Sequence, residues 1–240
     1  MRTLVRAVCA ATALALCGAA PAHANAAFPE IPEPMIFDMV RGLGARAGEL
    51  EANALVTTPF SGQERAVEWA PEVEYALTNG LALEFELPFE NARLAELKVG
   101  LQATFGTLDS GRIAHGVQYL GIYDRHDRST SHALLYLFGR QHDERWSTMS
   151  MIGVGDVRVG QSEKEAGLLI NHTTFYKLNE KQVAGLELNY HSGPDGGVTA
   201  MPQFHAGLAR KVSLQVGTGL DKQRGARARP IGGLRLIREF

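Results

Sequence analysis

The chain has 240 residues, with 24 Lys and Arg against 26 Asp and Glu, and this near balance gives no indication of a nucleic-acid partner. Its two cysteines, Cys9 and Cys17, both lie near the start of the chain, so no disulfide or thiolate metal site is expected in the rest. No apolar run of about eighteen residues follows residue 24, which argues against a membrane-spanning helix.

Residues 1–24 have the pattern of a cleaved secretory signal peptide. Arg2 and Arg6 supply positive charge, residues 7–20 form a short apolar stretch, and Ala22-His23-Ala24 resembles a cleavage site. A lipoprotein anchor at Cys17 is the rival interpretation, and the bulky residue before that cysteine disfavours it. Cleavage would remove two of the 24 basic residues and leave 22 against 26 acidic ones, a formal charge of −4. Such a chain would be a soluble periplasmic protein or a barrel in the cell outer membrane.

Residues 25–47 show no clear period. Three prolines precede the short apolar run of residues 35–40, and we interpret the whole stretch as a periplasmic N-terminal segment or short helix. A weak first strand follows over residues 48–56. The polar residues on one face of this strand are Glu49, Glu51 and Asn53.

The strongest pattern in the chain is an alternation that occurs twice within residues 65–90. Apolar residues take every second position from Val67 to Leu77 and again from Leu81 to Phe89, with Asn79-Gly80 between the two runs. This pattern predicts a β-hairpin. Each run has about the nine to eleven residues that a tilted strand needs to cross a bilayer. The hairpin therefore predicts a transmembrane β-barrel. Pro71 lies within the first run and predicts a local bulge or a missing backbone bond.

Weaker alternation continues to the end of the chain and completes a count of twelve strands. The further candidates are residues 96–105, 114–123, 131–140, 146–155, 165–176, 182–190, 198–209, 212–220 and 230–240. Both faces of residues 131–140 are fairly apolar, so the pattern does not fix which face points inward. An even count places both termini on the periplasmic side. The sequence thus predicts an all-β fold, a closed antiparallel transmembrane β-barrel over residues 48–240, surrounded by outer-membrane lipid.

The last predicted strand ends on an aromatic residue, Phe240. A terminal strand ending in Phe resembles the signal by which the barrel assembly machinery recognises outer-membrane barrels. We therefore expect that machinery to be a partner of the chain, and we expect the folded barrel to be a monomer.

Part of the hairpin also resembles a known family. Residues 69–80 (WAPEVEYALTNG) and 83–89 (LEFELPF) are similar to the family described as the MetA pathway of phenol degradation, a group of outer-membrane barrels. The stretches 153–157, 202–203 and 217–219 are similar to it as well. The resemblance implies an outer-membrane barrel with a role near the uptake of aromatic or other small hydrophobic compounds.

Carboxylates follow one face of the hairpin, and these side chains are predicted to line the lumen: Glu68, Glu72, Glu74, Glu84 and Glu86. Like charges lying opposite each other on neighbouring strands are unfavourable unless water or cations intervene. We therefore expect basic partners from other strands, with Gln102 also lining the lumen: Lys98, Arg140 and Arg235. The file of carboxylates could act as a cation-preferring constriction or belong to an internal ion-pair network that closes and stiffens the barrel.

The histidines give little indication of catalysis or metal binding. His191 and Ser192 would point to opposite faces of an extended strand, and His172 shares a face only with a strand-forming threonine. His126, His132 and His142 lie in or beside different connections without zinc-like spacing. No catalytic residue, metal ligand or cofactor is predicted.

The sequence therefore favours passive passage or binding of small molecules, including aromatic or hydrophobic compounds, by an outer-membrane barrel that is not an enzyme. The first alternative is a structural or sensory barrel with a closed lumen. The second is a barrel that carries a lipid hydrolase site. A third is a soluble periplasmic binder, whose apolar strand faces would have to form one shared core.

Overall fold

A computed structural model describes residues 28–62, 65–158, 166–193 and 196–240. The predicted signal peptide, residues 1–24, lies outside the described residues. The described strands are β1 (Leu50–Pro59), β2 (Glu68–Thr78), β3 (Leu81–Glu86), β4 (Phe89–Glu90), β5 (Arg93–Leu94), β6 (Glu96–Leu108), β7 (Ile113–Asp124), β8 (Ser129–Gln141), β9 (Trp146–Val157), β10 (Gly167–Asn179), β11 (Gln182–His191), β12 (Gly197–Ala209), β13 (Val212–Gln223) and β14 (Arg229–Glu239).

These strands form a closed antiparallel barrel. β4 continues the pairing of β3 with β2, and β5 leads into β6, so the fourteen segments make twelve barrel strands. β1 pairs with β2 on one side and β14 on the other, which closes the sheet. The prediction of a closed twelve-stranded antiparallel barrel is confirmed. In the described chain, no helix is long and apolar enough to cross a membrane.

The connections differ between the two ends of the barrel. At the end that holds β1's first residue and β14's last, the turns are short, such as Asn79–Gly80 and Arg210–Lys211. Gly80 adopts φ 79°, a conformation that a glycine in this hairpin turn reaches without a side-chain clash. The connections at the opposite end are mostly longer. We call the end with the short turns the terminal end and the opposite end the loop end.

The alternation along each strand separates an apolar outside from a polar inside. On β2, the side chains of Val73 and Tyr75 point outward, while Glu72 and Glu74 point inward and are buried, Glu74 completely. Successive side chains of a strand alternate between the two faces of the sheet. The outward face is therefore the apolar one, as in a barrel that lies in lipid. The shared apolar core required by the soluble-binder alternative does not form from these faces.

Pro71 interrupts the ladder between β2 and β3 without shifting its register. The backbone N–H of Leu87 donates to the Pro71 carbonyl at 3.0 Å, but proline has no N–H to return the bond. The next residue, Pro88, also lacks a donor, and regular pairing resumes at Trp69 with Phe89. As predicted, one backbone hydrogen bond is absent at Pro71, and no bulge accompanies its loss.

Most of the described residues before β1 lie inside the barrel, and we call residues 28–47 the plug segment, of which Glu30, Arg46 and Ala47 are exposed. Its residues Met35, Met39 and Val40 are fully buried, and its backbone forms bends and turns without a helix. The sequence predicted a periplasmic segment or a short helix here. The structure instead has no helix in this stretch and places most of it in the lumen. Because the segment joins β1 at the terminal end, it enters the lumen from that end.

Candidate lumen site

Four of the five predicted carboxylates lie together on the lumen wall because the hairpin register places them opposite each other. Glu72 pairs with Glu86 and Glu74 pairs with Glu84 across β2 and β3, and all four side chains are buried. Directly opposite residues of a strand pair have Cβ atoms about 5 Å apart. Four carboxylates are thus concentrated in a small volume that basic groups must neutralise.

Two of the predicted basic residues neutralise part of this charge. The buried Arg235 on β14 donates from Nη2 to Glu72 Oε1 at 2.8 Å and to Glu74 Oε1 at 3.4 Å, and from Nε to Asn53 Oδ1 at 3.0 Å. Lys98 on β6 forms an ion pair with Glu86, its partner in the strand register. Charge-assisted hydrogen bonds of this kind are the stronger ones in proteins.

The plug segment adds its own charges to the network. Arg41 Nη1 lies 2.5 Å from Glu51 Oε2 and 3.5 Å from Glu74 Oε2, and Asp38 forms an ion pair with Lys98. Burial lowers the pKa of the Arg41 guanidinium, but neighbouring carboxylates, first that of Glu33, raise it by more, so this pKa lies above its usual value. The plug segment is therefore tied to the wall by ion pairs on one side of the lumen.

Wall side chains also bind the backbone of the plug segment. The Glu187 carboxylate accepts hydrogen bonds from the N–H groups of Met35 at 2.9 Å, Ile36 at 3.0 Å and Phe37 at 2.6 Å. Gln118 accepts from the Val40 N–H at 3.0 Å and donates to the carbonyl of residue 38 at 2.8 Å. A buried segment without regular structure needs such partners for its backbone groups.

The plug segment also packs against apolar side chains of the wall. Met39 and Val40 pack against buried side chains of the wall, which come from β3 and from β7 to β10: Ala82, Leu120, Ala133, Leu135, Leu137, Met149, Met151 and Phe175. Gly100 on β6 faces Val40 of the plug segment. A Cβ atom on residue 100 would collide with Cγ2 of Val40, and glycine avoids this collision. The plug segment thus fills the lumen by close packing as well as by polar contacts.

The remaining predicted lumen residues have different positions. Gln102 is buried and donates from Nε2 to the carbonyl of Arg41 at 2.6 Å. Glu68 is exposed near the loop end, outside the buried network. Arg140 does not reach the lumen: it lies on the outward-facing side of β8 at the terminal end, where its Nη2 contacts Asp109 Oδ2 at 3.1 Å. Its outward position removes it as a partner of the carboxylates.

Sequence reasoning missed several members of the network: Glu33, Asp38, Arg41, Glu51, Asn53 and Glu187. Glu51 and Asn53 do follow from the alternation of the first strand, because they share its polar face. The three charged residues of the plug segment had no periodic signal. Their contacts depend on where the segment lies.

A cavity of about 440 Å³ opens on the loop-end side of the buried carboxylates, next to Glu86 and Lys98. Lys98, which forms an ion pair with Asp38 of the plug segment, thus connects this cavity with the plug segment. Most of its charged lining residues are acidic: Glu68, Glu86, Glu90 and Glu96. We call this cavity the vestibule. Its charge favours cations over anions.

Of the candidate catalytic histidines, His172 makes hydrogen bonds with hydroxyl groups. His172 Nδ1 lies 2.8 Å from Ser150 Oγ and its Nε2 lies 3.2 Å from Thr174 Oγ1, on the outward face of β9 and β10. Ser192 Oγ accepts a hydrogen bond from the backbone of Leu168 at 2.7 Å. Within the described residues, no carboxylate or amide orients His172 in the way that a catalytic base is oriented.

Comparisons with known proteins agree on the fold. A family model described as HAEPLYID-like matches residues 30–141, a little under half of the chain, and it differs from the family that the hairpin resembles. No curated protein matches significantly. The COG4313 outer membrane channel from Pseudomonas putida F1 is similar in structure, with a TM-score of 0.68 and 13% identity over 85% of this chain and 100% of that one.

Two porins are also similar to this chain in structure. The NanC porin has a TM-score of 0.63 and 9% identity over 80% of this chain and 100% of its own. The KdgM porin has a TM-score of 0.59 and 10% identity over 77% of this chain and 97% of its own. At such identities the likeness establishes a shared fold.

Proposed function

We propose that the protein is an outer-membrane channel for passive passage of small molecules, and that the plug segment closes its lumen in the state described. The single observation that carries this proposal is the position of residues 28–47 inside a barrel whose apolar face points outward. The fold that the chain shares with porins and an outer membrane channel supports it. The proposal includes no catalytic step.

The contacts of the plug segment suit a closure that can be reversed. They are hydrogen bonds, ion pairs and side-chain packing, and the segment is joined to the wall covalently only through β1. Each hydrogen bond to a charged group contributes about 1.5–3 kcal/mol. Several such bonds, including those of Glu187, favour the closed state strongly. Opening would therefore be infrequent unless another molecule shifts the balance.

The charges of the vestibule suggest which molecules pass. Its carboxylates attract cations and raise the energy of anions, which argues against aromatic acids as the preferred cargo. The family resemblance of the hairpin implies aromatic or hydrophobic compounds. Combining the two, we propose neutral or positively charged small molecules, aromatic ones included, as the class to test.

A reversible covalent lock tests the role of the plug segment. From residue 25 onward the chain has no cysteine, so the double variant V40C/G100C would carry a single possible disulfide. A Cβ on Gly100 would touch Val40 Cγ2, which places the two Cβ atoms close to the spacing that a disulfide needs. We expect the oxidised protein to show no conductance in planar bilayers, and we expect the reduced protein to show opening events.

The single variant V40C serves as the control, because it can form no lock within one chain. Equal conductance of the oxidised and reduced double variant would contradict closure by the plug segment. A protein that inserts but conducts in neither state would instead favour the alternative function, a structural or sensory barrel with a permanently closed lumen. The many buried contacts of the plug segment are the observation that favours this alternative.

A further inference from the structure

One group of carboxylates joins the plug segment to the wall and is poorly neutralised. Oxygen atoms of Asp38, Glu72, Glu84 and Glu86 all lie within 4.8 Å of one another. Asp38 belongs to the plug segment and the other three belong to the hairpin of β2 and β3. Lys98 and Arg235 are the cations that contact this group, so at least two negative charges are unmatched among the described residues.

Glu84 shows where a ligand is missing. This residue is 4% exposed, and neither Oε1 nor Oε2 has a hydrogen-bond partner in the described structure. An unpartnered buried carboxylate is costly, because the charge loses its water and gains nothing in return. One carboxylate oxygen of Glu84 belongs to the same group that reaches Asp38, so a cation bound there would give this carboxylate a partner.

Lys98 does not occupy the whole site. It contacts Asp38 through Oδ2 and Glu86 through Oε2, and Arg235 contacts Glu72 through Oε1. In the described part of the chain, one oxygen of each of these three carboxylates has no such contact. Together with the two oxygens of Glu84, these atoms provide a set of free oxygen ligands.

We propose that Asp38, Glu72, Glu84 and Glu86 bind a divalent cation, Ca²⁺, which fastens the plug segment to the wall. Ca²⁺ takes oxygen ligands at about 2.3–2.6 Å in flexible geometry, so oxygens on opposite sides of the ion lie about 4.8 Å apart. The oxygens of the group, all within 4.8 Å of one another, fit within this span. Mg²⁺ requires shorter distances and a stricter octahedron. A Ca²⁺ ion would also balance the two unmatched charges.

A second acidic group is not a comparable site. Glu33, Glu51 and Glu74 also lie close together, but Arg41 contacts Glu51 and Glu74, and Arg235 contacts Glu33 and Glu74. Guanidinium groups already take the place of a cation there.

The consequence for function rests on the proposed channel role: Ca²⁺ holds the lumen closed, and its removal favours opening. Binding itself does not depend on that role. We would therefore measure Ca²⁺ binding first, by isothermal titration calorimetry on the whole folded chain in detergent after treatment with EDTA. Titrations with Mg²⁺, and with Na⁺ at the same ionic strength, serve as comparisons. Thermal unfolding with Ca²⁺ and with EDTA gives a second measurement.

Three variants make the test specific. Glu84→Gln removes the unpartnered charge, and Asp38→Asn changes the plug segment alone, where barrel folding is not at risk. Both are expected to weaken Ca²⁺ binding by about tenfold or more, because ligand charge sets the affinity of such sites. Glu68→Gln is the matched control, since Glu68 shares the inward face of β2 but lies outside the group.

The expected result is Ca²⁺ binding and a higher unfolding temperature in the unchanged protein and in E68Q, with both effects weakened in E84Q and D38N. Absence of binding by the unchanged folded protein would overturn the proposal, as would equal affinity in D38N. If Ca²⁺ binds but EDTA leaves conductance unchanged, the site stands and its role in closing the channel is refuted.

Discussion

The carboxylate of Glu187 accepts a hydrogen bond from the backbone N–H group of Phe37 at 2.6 Å, across a separation of 150 residues in sequence. The same carboxylate binds the N–H groups of the two preceding residues, and Asn189 and Gln203 donate to it from the wall. A single side chain of β11 therefore organises the backbone turn at the tip of the plug segment. Both of its oxygens accept hydrogen bonds from these donors.

Replacing this carboxylate should loosen the plug segment. Glu187→Gln removes the negative charge that strengthens three backbone hydrogen bonds, and we expect it to cost about 1.5–3 kcal/mol of closure. This corresponds to a rise of about 10-fold to 100-fold in the ratio of open to closed channels. Single-channel recording measures this ratio. Glu180→Gln, at an exposed turn before β11, is the control, and equal open probabilities in the two variants would contradict the prediction.

Removing the buried guanidinium of Arg235 should destabilise the whole barrel. Arg235→Met leaves Glu72 and Glu74 without their shared cation, and such a loss costs about 3–5 kcal/mol in buried networks. Arg140→Met breaks an ion pair whose two side chains are about half exposed, which should cost less than about 1 kcal/mol. Unfolding by urea in detergent compares the two variants. Similar losses would show that Arg235 does not neutralise the lumen.

Ion selectivity should depend on the hairpin carboxylates once the plug segment has moved. In the Glu187→Gln background, neutralising Glu72 and Glu74 to glutamine removes two negative charges from the lumen wall, so preference for cations should fall. The reversal potential in a salt gradient reports this preference. A reversal potential identical to that of the background variant would mean that ions do not pass these residues.

A charge on the outward face should be costly only at mid-height of the barrel. Val73→Arg places a guanidinium on the exposed apolar face near the middle of β2, with an expected loss of about 2–4 kcal/mol in lipid. Leu208→Arg changes an exposed outward residue at the terminal end of β12, with an expected loss of about 0–1 kcal/mol. Folding equilibria in lipid vesicles measure both. Equal losses would count against a membrane position for the barrel.

Phe240 is proposed to serve recognition by the barrel assembly machinery and to add little to stability. Its ring is 61% exposed, and its backbone N–H donates to the Leu50 carbonyl at 2.9 Å, a bond that any residue could make. Phe240→Ala should therefore lower the amount of barrel assembled in cells while refolding in detergent stays unchanged. A parallel loss in refolding would assign the ring a structural role instead.

The sequence by itself determined the strands and, for all but β8, which side faces inward, because period-two alternation is a local property that a barrel converts directly into inside and outside. The hairpin carboxylates, Lys98 and Arg235 were found in this way. Arg140 was predicted to face the lumen, but it faces outward. Both faces of its strand are fairly apolar in sequence, so the alternation did not indicate which face points inward. The facing of this strand follows instead from its pairing with β7 and β9.

Only the tertiary structure decided that residues 28–47 fill the lumen. The plug segment has no period, and its partners are distant in sequence: Glu187 lies 150 residues from Phe37, and Arg235 lies 201 residues from Pro34. Such contacts exist only after the barrel has closed and created an interior in which buried charges and apolar side chains face the plug segment. The four carboxylates around Asp38 come together for the same reason, since one of them arrives with the plug segment and three with the wall.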